Sequence, residues 1–185
     1  MILLSALLLA QLAQADASAR PMSAEPTTII LVRHAEKAEG DEKDPGLSTA
    51  GQARAEALAE AFADDKLRAI IVSDTKRARD TAEPTAKAKG LQPIVVSTAG
   101  GGEAHVKGVV TAIRKSQPGG TILVIGHSNT LAPIIEALGG PHLPVLCEKQ
   151  FAPMYVLEIR EKGGAELATK SYGAPDPAGS EKCAP

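Results

Sequence analysis

The chain has 185 residues, 44% of them hydrophobic and 23% charged, with only 2% aromatic and no Trp. That length suits one domain, whose core must be built from Ala, Val, Ile and Leu, and leaves no room for a second. A formal charge of -2 offers no electrostatic footprint for nucleic acid or an anionic membrane, so neither is expected as a partner.

The segment Met1 to Ala10 is almost wholly apolar, and Ala13-Gln14-Ala15 and Ala17-Ser18-Ala19 follow it as small-residue cleavage patterns. Residues 1–19 are therefore expected to be a secretory signal peptide, although no Lys or Arg precedes Arg20. The apolar run is shorter than the roughly 20 residues that span a bilayer. No Cys follows it for lipid attachment, so no membrane anchor is expected. The expectation is a secreted or periplasmic protein with a mature N-terminus near Asp16 or Arg20. The two cysteines, Cys147 and Cys183, could bridge in an oxidising compartment. Without nearby His partners they do not form a zinc site.

A first strand is predicted over Thr27 to Val32, where consecutive branched apolar residues indicate burial on both faces, as in a parallel sheet. It delivers Arg33 and His34 to the strand end. A charged loop from Glu36 to Asp44 closes at Pro45-Gly46. Thr49 and Gln52 form a possible capping box, and Ala53, Ala57, Leu58, Ala61 and Phe62 recur at helical spacing, predicting a helix over 49–64. The second strand, Ala69 to Val72, ends at Ser73. The helix after it begins near Asp74 or Thr75, carries Arg77 in its first turn, and is kinked or restarted at Pro84.

Pro93 to Ser97 is the third strand, followed by a flexible Gly100-Gly101-Gly102 loop and a helix marked by Val106, Val109, Val110 and Ile113. Thr121 to Ile125 is the fourth strand, ending in Gly126-His127. Thr130 caps a further helix whose first turn tolerates Pro133. An irregular loop spans Gly139 to Gln150. A hairpin pairs Met154 to Arg160 with Ala165 to Tyr172, and a tail from 173 to 185 is expected to be disordered. The fold class that follows is a three-layer α/β/α sandwich, a mostly parallel sheet with a C-terminal hairpin, formed by residues 27–172.

Strand ends in such sheets meet at a ligand crevice when the strands are neighbours. Three of them here carry chemistry: Arg33-His34, Ser73 through Arg77, and His127. Two guanidiniums match phosphate oxygens, and helix N-termini after Ser73 and His127 add donors. In that setting His34 can act as a nucleophile, and His127 can stabilise charge on the transferring oxygens. The arginines supply the positive field, so neither metal nor other cofactor is expected. Glu36, Asp44 and Glu103 are too scattered to predict a magnesium cage.

These motifs resemble the histidine phosphatase superfamily, the phosphoglycerate-mutase-like fold. The resemblance rests on Leu31-Val32-Arg33-His34-Ala35-Glu36-Lys37, Leu47-Ser48-Thr49-Ala50-Gly51-Gln52-Ala53, Ser73 through Ala82, and Gly126-His127-Ser128-Asn129, in the family's order and spacing. It implies that His34 is the phosphorylated nucleophile, Arg33 and Arg77 the phosphate clamps, and His127 the second catalytic histidine. It also implies that these strand ends adjoin. Two departures stand out. Ala35 replaces the family's usual Gly, and its usual acid has two candidates here, Glu103 and Glu36. Ser73 and Glu36 are expected to contact substrate, and His105 and His142 to be peripheral.

The resulting expectation is a metal-independent phosphatase acting on phosphorylated small molecules through a phosphohistidine on His34. The alternatives are a phosphohistidine-protein phosphatase and a non-catalytic phosphate-binding envelope protein. Retention of both histidines and both arginines weighs against the last. A mutase is disfavoured because nothing resembles the long insertions that hold a phosphoglycerate.

Overall fold

The computed structural model describes residues 26–40, 43–116, 119–160 and 164–180. The proposed leader, the residues around Lys162 and the end of the tail, with Cys183, lie outside them. Among the described residues the elements are β1 (Thr27–Arg33), α1 (Thr49–Ala61), β2 (Leu67–Ser73), α2 (Lys76–Lys89), β3 (Ile94–Val96), α3 (Gly101–Lys115), β4 (Gly120–Gly126), α4 (Leu131–Ala137), β5 (Pro153–Ile159) and β6 (Ala165–Ser171). The strands form one sheet in the order β3-β2-β4-β1-β5-β6. The first four run parallel, while β5 pairs antiparallel to β1 and β6 antiparallel to β5.

The predicted runs of branched residues are buried because the sheet is covered on both faces. Successive strand side chains point to opposite faces, and the core divides accordingly. Ile29, Leu31, Ile71, Ile122 and Val124 join Val109, Ile113, Ile134 and Ile135 from α3 and α4. Ile30, Val32, Ile70, Leu123 and Ile125 join Leu58 and Phe62 of α1 and Ala78, Ala82 and Ala86 of α2. The result is the expected three-layer sandwich.

Several local expectations change. The N-cap of α1 is Ser48, whose Oγ accepts from Gly51 N at 3.1 Å; the cap thus falls one residue before the Thr49-Gln52 pair. Helix α2 runs through Pro84 in one assigned segment, held by buried Ala78, Thr81, Ala82, Thr85 and Ala86, because packing of that face outweighs one missing N–H. Gly101 and Gly102 are not loop but the start of α3, entered through Gly100 at φ 91°, a conformation open to glycine without a Cβ clash. The tail contains an ordered anchor: Asp176 Oδ1 accepts from Phe151 N at 2.8 Å and Ala152 N at 2.9 Å. A composition poor in apolar groups cannot reveal a single carboxylate meeting two backbone donors. No helix among the described residues is long and apolar enough to cross a membrane.

Two loops position the site. His34 N donates to Gly126 O at 2.9 Å, extending the β1–β4 ladder past the strand ends. Ser48 N donates to Glu36 O and Ala38 N to Gly46 O, both at 2.9 Å, so the chain after His34 leaves and returns as a narrow excursion onto α1. Gly51 makes that return possible, since a Cβ there would overlap the Glu36 carbonyl oxygen. Gly51→Ala is therefore expected to lose about 1–3 kcal/mol, the usual cost of overpacking a tight site. Gly102→Ala, where a Cβ meets open space, should be near neutral. Urea unfolding of the two variants checks the contrast.

Candidate active site

Because β2, β4 and β1 are neighbours, Ser73, His127 and Arg33-His34 converge at the carboxyl edge of the sheet, and Arg77 joins them from the first turn of α2. They border a crevice of about 910 Å³ that Arg33, His34, Arg77, His105, His127 and Phe151 help to line.

His34 is 5% exposed. Its Nδ1 lies 2.8 Å from the Ala35 carbonyl oxygen, which can only accept, so Nδ1 carries the hydrogen and Nε2 bears the lone pair. Arg77 Nε–H donates to that Nε2 at 3.2 Å. Burial pushes the His34 pKa down to about 3, assisted by the charges of His127, Arg33 and Arg77 and opposed by the Ala35 carbonyl. The imidazole is thus neutral near pH 7, with Nε2 turned to a guanidinium.

His127 stands edge-on to His34, ring centroids 5.2 Å apart. Its backbone N donates to Thr130 Oγ1 at 3.0 Å, so the N-cap residue of α4 fixes the loop instead of its own helix. Burial lowers its pKa to about 4, with Arg77, His105 and Arg33 acting in the same direction. Its Nε2 hydrogen-bonds Ser73 Oγ at 2.9 Å, and Ser73 Oγ hydrogen-bonds Thr75 Oγ1 at 3.0 Å. Ser73, expected to contact substrate, is fully buried and outside the crevice lining, where its hydroxyl holds the His127 ring.

Arg33 is 2% exposed. Its NH1 donates to the carbonyls of Cys147, Glu148 and Gln150 at 2.9, 2.9 and 3.0 Å, and NH2 to Glu148 Oε2 at 3.3 Å. The guanidinium lies 4.1 Å over the Phe151 ring, a cation–π arrangement. Its buried Nε has no partner among the described residues. A cation so fixed, with an unused donor, has the chemistry to bind a phosphoryl oxygen. Cys147 is disulfide-bonded; Cys183, its expected partner, lies outside the described residues.

The two candidate acids separate. Glu36 borders the crevice, but both its oxygens accept from Arg54 Nε at 3.0 Å and Oε1 also from NH2 at 2.9 Å. Arg54 is itself buried and donates to the Tyr172 carbonyl at 3.0 Å. Glu36 therefore anchors the loop after His34, and its carboxylate is committed to that pair. Glu103 is exposed and outside the crevice lining, whereas His105 is buried and within it. Two helical positions differ by about 200° around the axis, which puts these side chains on opposite sides of α3. His142 is exposed and pairs with Glu136 at 3.2 Å.

Sequence reasoning missed Arg54, Glu148, Gln150 and Phe151. Arg54 had a signal, since it falls in the buried stripe Gly51, Ala55, Leu58 of α1; a cation there needs a buried partner. The other three sit on a strap more than a hundred positions from Arg33, where no local pattern points.

Both buried imidazoles imply acid sensitivity. The unfolded chain takes up protons near the ordinary His value of 6.5, whereas His34 and His127 stay neutral in the fold down to about 3 and about 4. Stability is thus independent of them above that range and falls as pH drops through it, by up to about 1.4 kcal/mol per unit for each group. Urea unfolding at about pH 7 and about pH 5 should show the loss, and His34→Gln should flatten its share of the slope.

The sequence pattern of the histidine phosphatase superfamily (branch 1) matches residues 29–99. No curated protein sequence matches the chain significantly. Among solved structures, the protein histidine phosphatase SixA complexed with tungstate superposes with a TM-score of 0.59 at 16% identity, covering 78% of this chain and 96% of its own. A putative phosphohistidine phosphatase SixA from Agrobacterium tumefaciens gives 0.59 at 24% identity, covering 81% and 99%. A mycobacterial glucosyl-3-phosphoglycerate phosphatase gives 0.59 at 17% identity, covering 82% and 100%. The chain thus has the fold of the histidine phosphatase superfamily, and its residues 29–99 carry that superfamily's branch 1 pattern.

Proposed function

We propose that the protein is a phosphatase that hydrolyses phosphomonoesters through a phosphohistidine on His34. The observation that carries this is the state of His34: Nδ1–H is spent on the Ala35 carbonyl, and Nε2 is unprotonated and already hydrogen-bonded by Arg77. An incoming phosphoryl group takes over the Arg77 donor and meets the unused Nε–H of Arg33. Nε2 attacks phosphorus, forming the N–P bond as the ester oxygen leaves. Water then displaces the imidazole and releases phosphate. The positive field that stabilises the equatorial oxygens comes from Arg33 and Arg77, with the neutral His127 ring beside them.

The crevice volume of about 910 Å³ favours a substrate larger than phosphate alone, with Lys37 and Lys43 on its border for further anionic groups. A phosphohistidine-protein substrate is the second reading. It is supported by the fold shared with two chains described as such phosphatases, and an imidazole leaving group needs less help from an acid. The disulfide at Cys147 supports an exported enzyme, because such bonds persist in oxidising compartments.

Brief incubation with nitrophenyl phosphate should place acid-labile phosphate on His34, and His34→Ala should abolish both label and turnover. Wild-type activity in His34→Ala would remove the mechanism. Arg77→Ala should lose about 10²–10³ in rate, and a chelator should leave the rate unchanged. Export is checked separately by mass spectrometry of the native protein, which should find its N-terminus near Asp16 or Arg20 and not at Met1.

A further inference from the structure

We propose that His105 is a catalytic acid–base residue, which protonates the leaving oxygen when the phosphohistidine forms and accepts a proton from water when it is hydrolysed. This rests on the phosphohistidine reading and assigns the proton transfer to a residue that the sequence placed at the periphery.

The carboxylates near the centre are otherwise occupied. Glu36 is bound by Arg54, and Glu148 has one oxygen on Arg33 at 3.3 Å and the other on Lys37 at 3.4 Å. Glu103 is outside the crevice, and Glu39 stands on the exposed part of the loop after His34. His105, in contrast, borders the crevice while being 2% exposed. Its Nδ1 lies 3.0 Å from the Ser97 carbonyl oxygen; that acceptor requires a hydrogen on Nδ1, so Nε2 is the atom free to gain and lose a proton. This Nε2 is buried with no partner among the described residues, a rare condition in a native fold. Ser97 follows β3, and His127 follows β4 on the far side of β2. The ring is tied by Nδ1 to the first and stands edge-on to the second at 6.1 Å, so it lies between the end of β3 and His127.

The proton count closes. With His105 protonated, His34 Nε2 forms the N–P bond, the P–O bond to the leaving group breaks, and the freed oxygen takes the Nε2 proton of His105. In the second half, water forms the new P–O bond and gives a proton to neutral His105. The N–P bond then breaks, returning His34 with its hydrogen on Nδ1.

His105→Asn is the informative variant, because the Asn amide N–H can still donate to Ser97 while nothing replaces Nε2. It should slow phosphorylation of His34 by glycerol phosphate about 10²–10⁴-fold, because that alkoxide must be protonated, and slow labelling of His34 by nitrophenyl phosphate little, because its phenolate leaves unaided. The basic limb of the pH profile on glycerol phosphate should vanish with it, and Glu103→Gln should keep that limb. Should His105→Asn fail to fold, His105→Gln is expected to show the same substrate contrast. Equal losses on both substrates, no loss on either, or the contrast appearing in Glu103→Gln instead would overturn the assignment. Labelling of wild-type His34 by nitrophenyl phosphate separates the two readings. With label present, those results reject His105 alone; with label absent, the phosphohistidine mechanism and the role of His105 fall together.

Discussion

The Arg77 Nε–H can donate to His34 Nε2 only because that nitrogen is unprotonated, and an unprotonated imidazole is what burial at the end of β1 produces. Water is removed from around His34, the Ala35 carbonyl takes the hydrogen on Nδ1, and two guanidiniums make a second positive charge unfavourable. Each factor is a property of position. The same residue on an exposed turn would be free to rotate and to protonate. The crevice is therefore organised around a neutral imidazole in a positive field.

Two buried arginines carry the loops that maintain this arrangement. Arg33 gathers three carbonyls and a carboxylate from the strap at 147–150, and Arg54 gathers both oxygens of Glu36 and the Tyr172 carbonyl. A guanidinium has five donors in a rigid plane, so a single buried side chain can fix several segments distant in sequence. Leaving either cation without these acceptors would strand a charge inside the protein, which is strongly destabilising. The strap is held in turn by Asp176 on Phe151 N and Ala152 N. The segment after β6 thus reaches the strap that holds Arg33 through backbone hydrogen bonds, and Tyr172 at its start joins the apolar core.

The histidines differ in what restrains them. His34 is set by its own neighbour's carbonyl, His127 by a buried hydroxyl, and His105 by the carbonyl that ends β3. Three ring orientations are thereby fixed by three different strand ends. This is how a sheet edge can place several imidazoles within one crevice without a binding loop of its own.

By itself the sequence determined the layers and the polar side chains at the strand ends. Branched runs such as Ile29 to Val32 are buried on both faces only in a covered sheet, and the helical stripes between them supply the covers, so fold class and strand ends were legible. Arg33, His34, Arg77 and His127 were legible too, because each ends or directly follows a strand or lies in the first turn of a helix. Strand order was not, since adjacency of β2, β4 and β1 is a matter of long-range pairing that local patterns do not encode. Nor were the roles of the carboxylates. Glu36 and Glu103 look equally available in a string of letters. Only packing reveals that one is held by Arg54 and that α3 turns the other outward, while the same helix turns His105 inward. The tertiary structure decided these points because hydrogen-bond partners are chosen by proximity in space, and residues such as Cys147 to Phe151 reach Arg33 only after the whole sheet has formed.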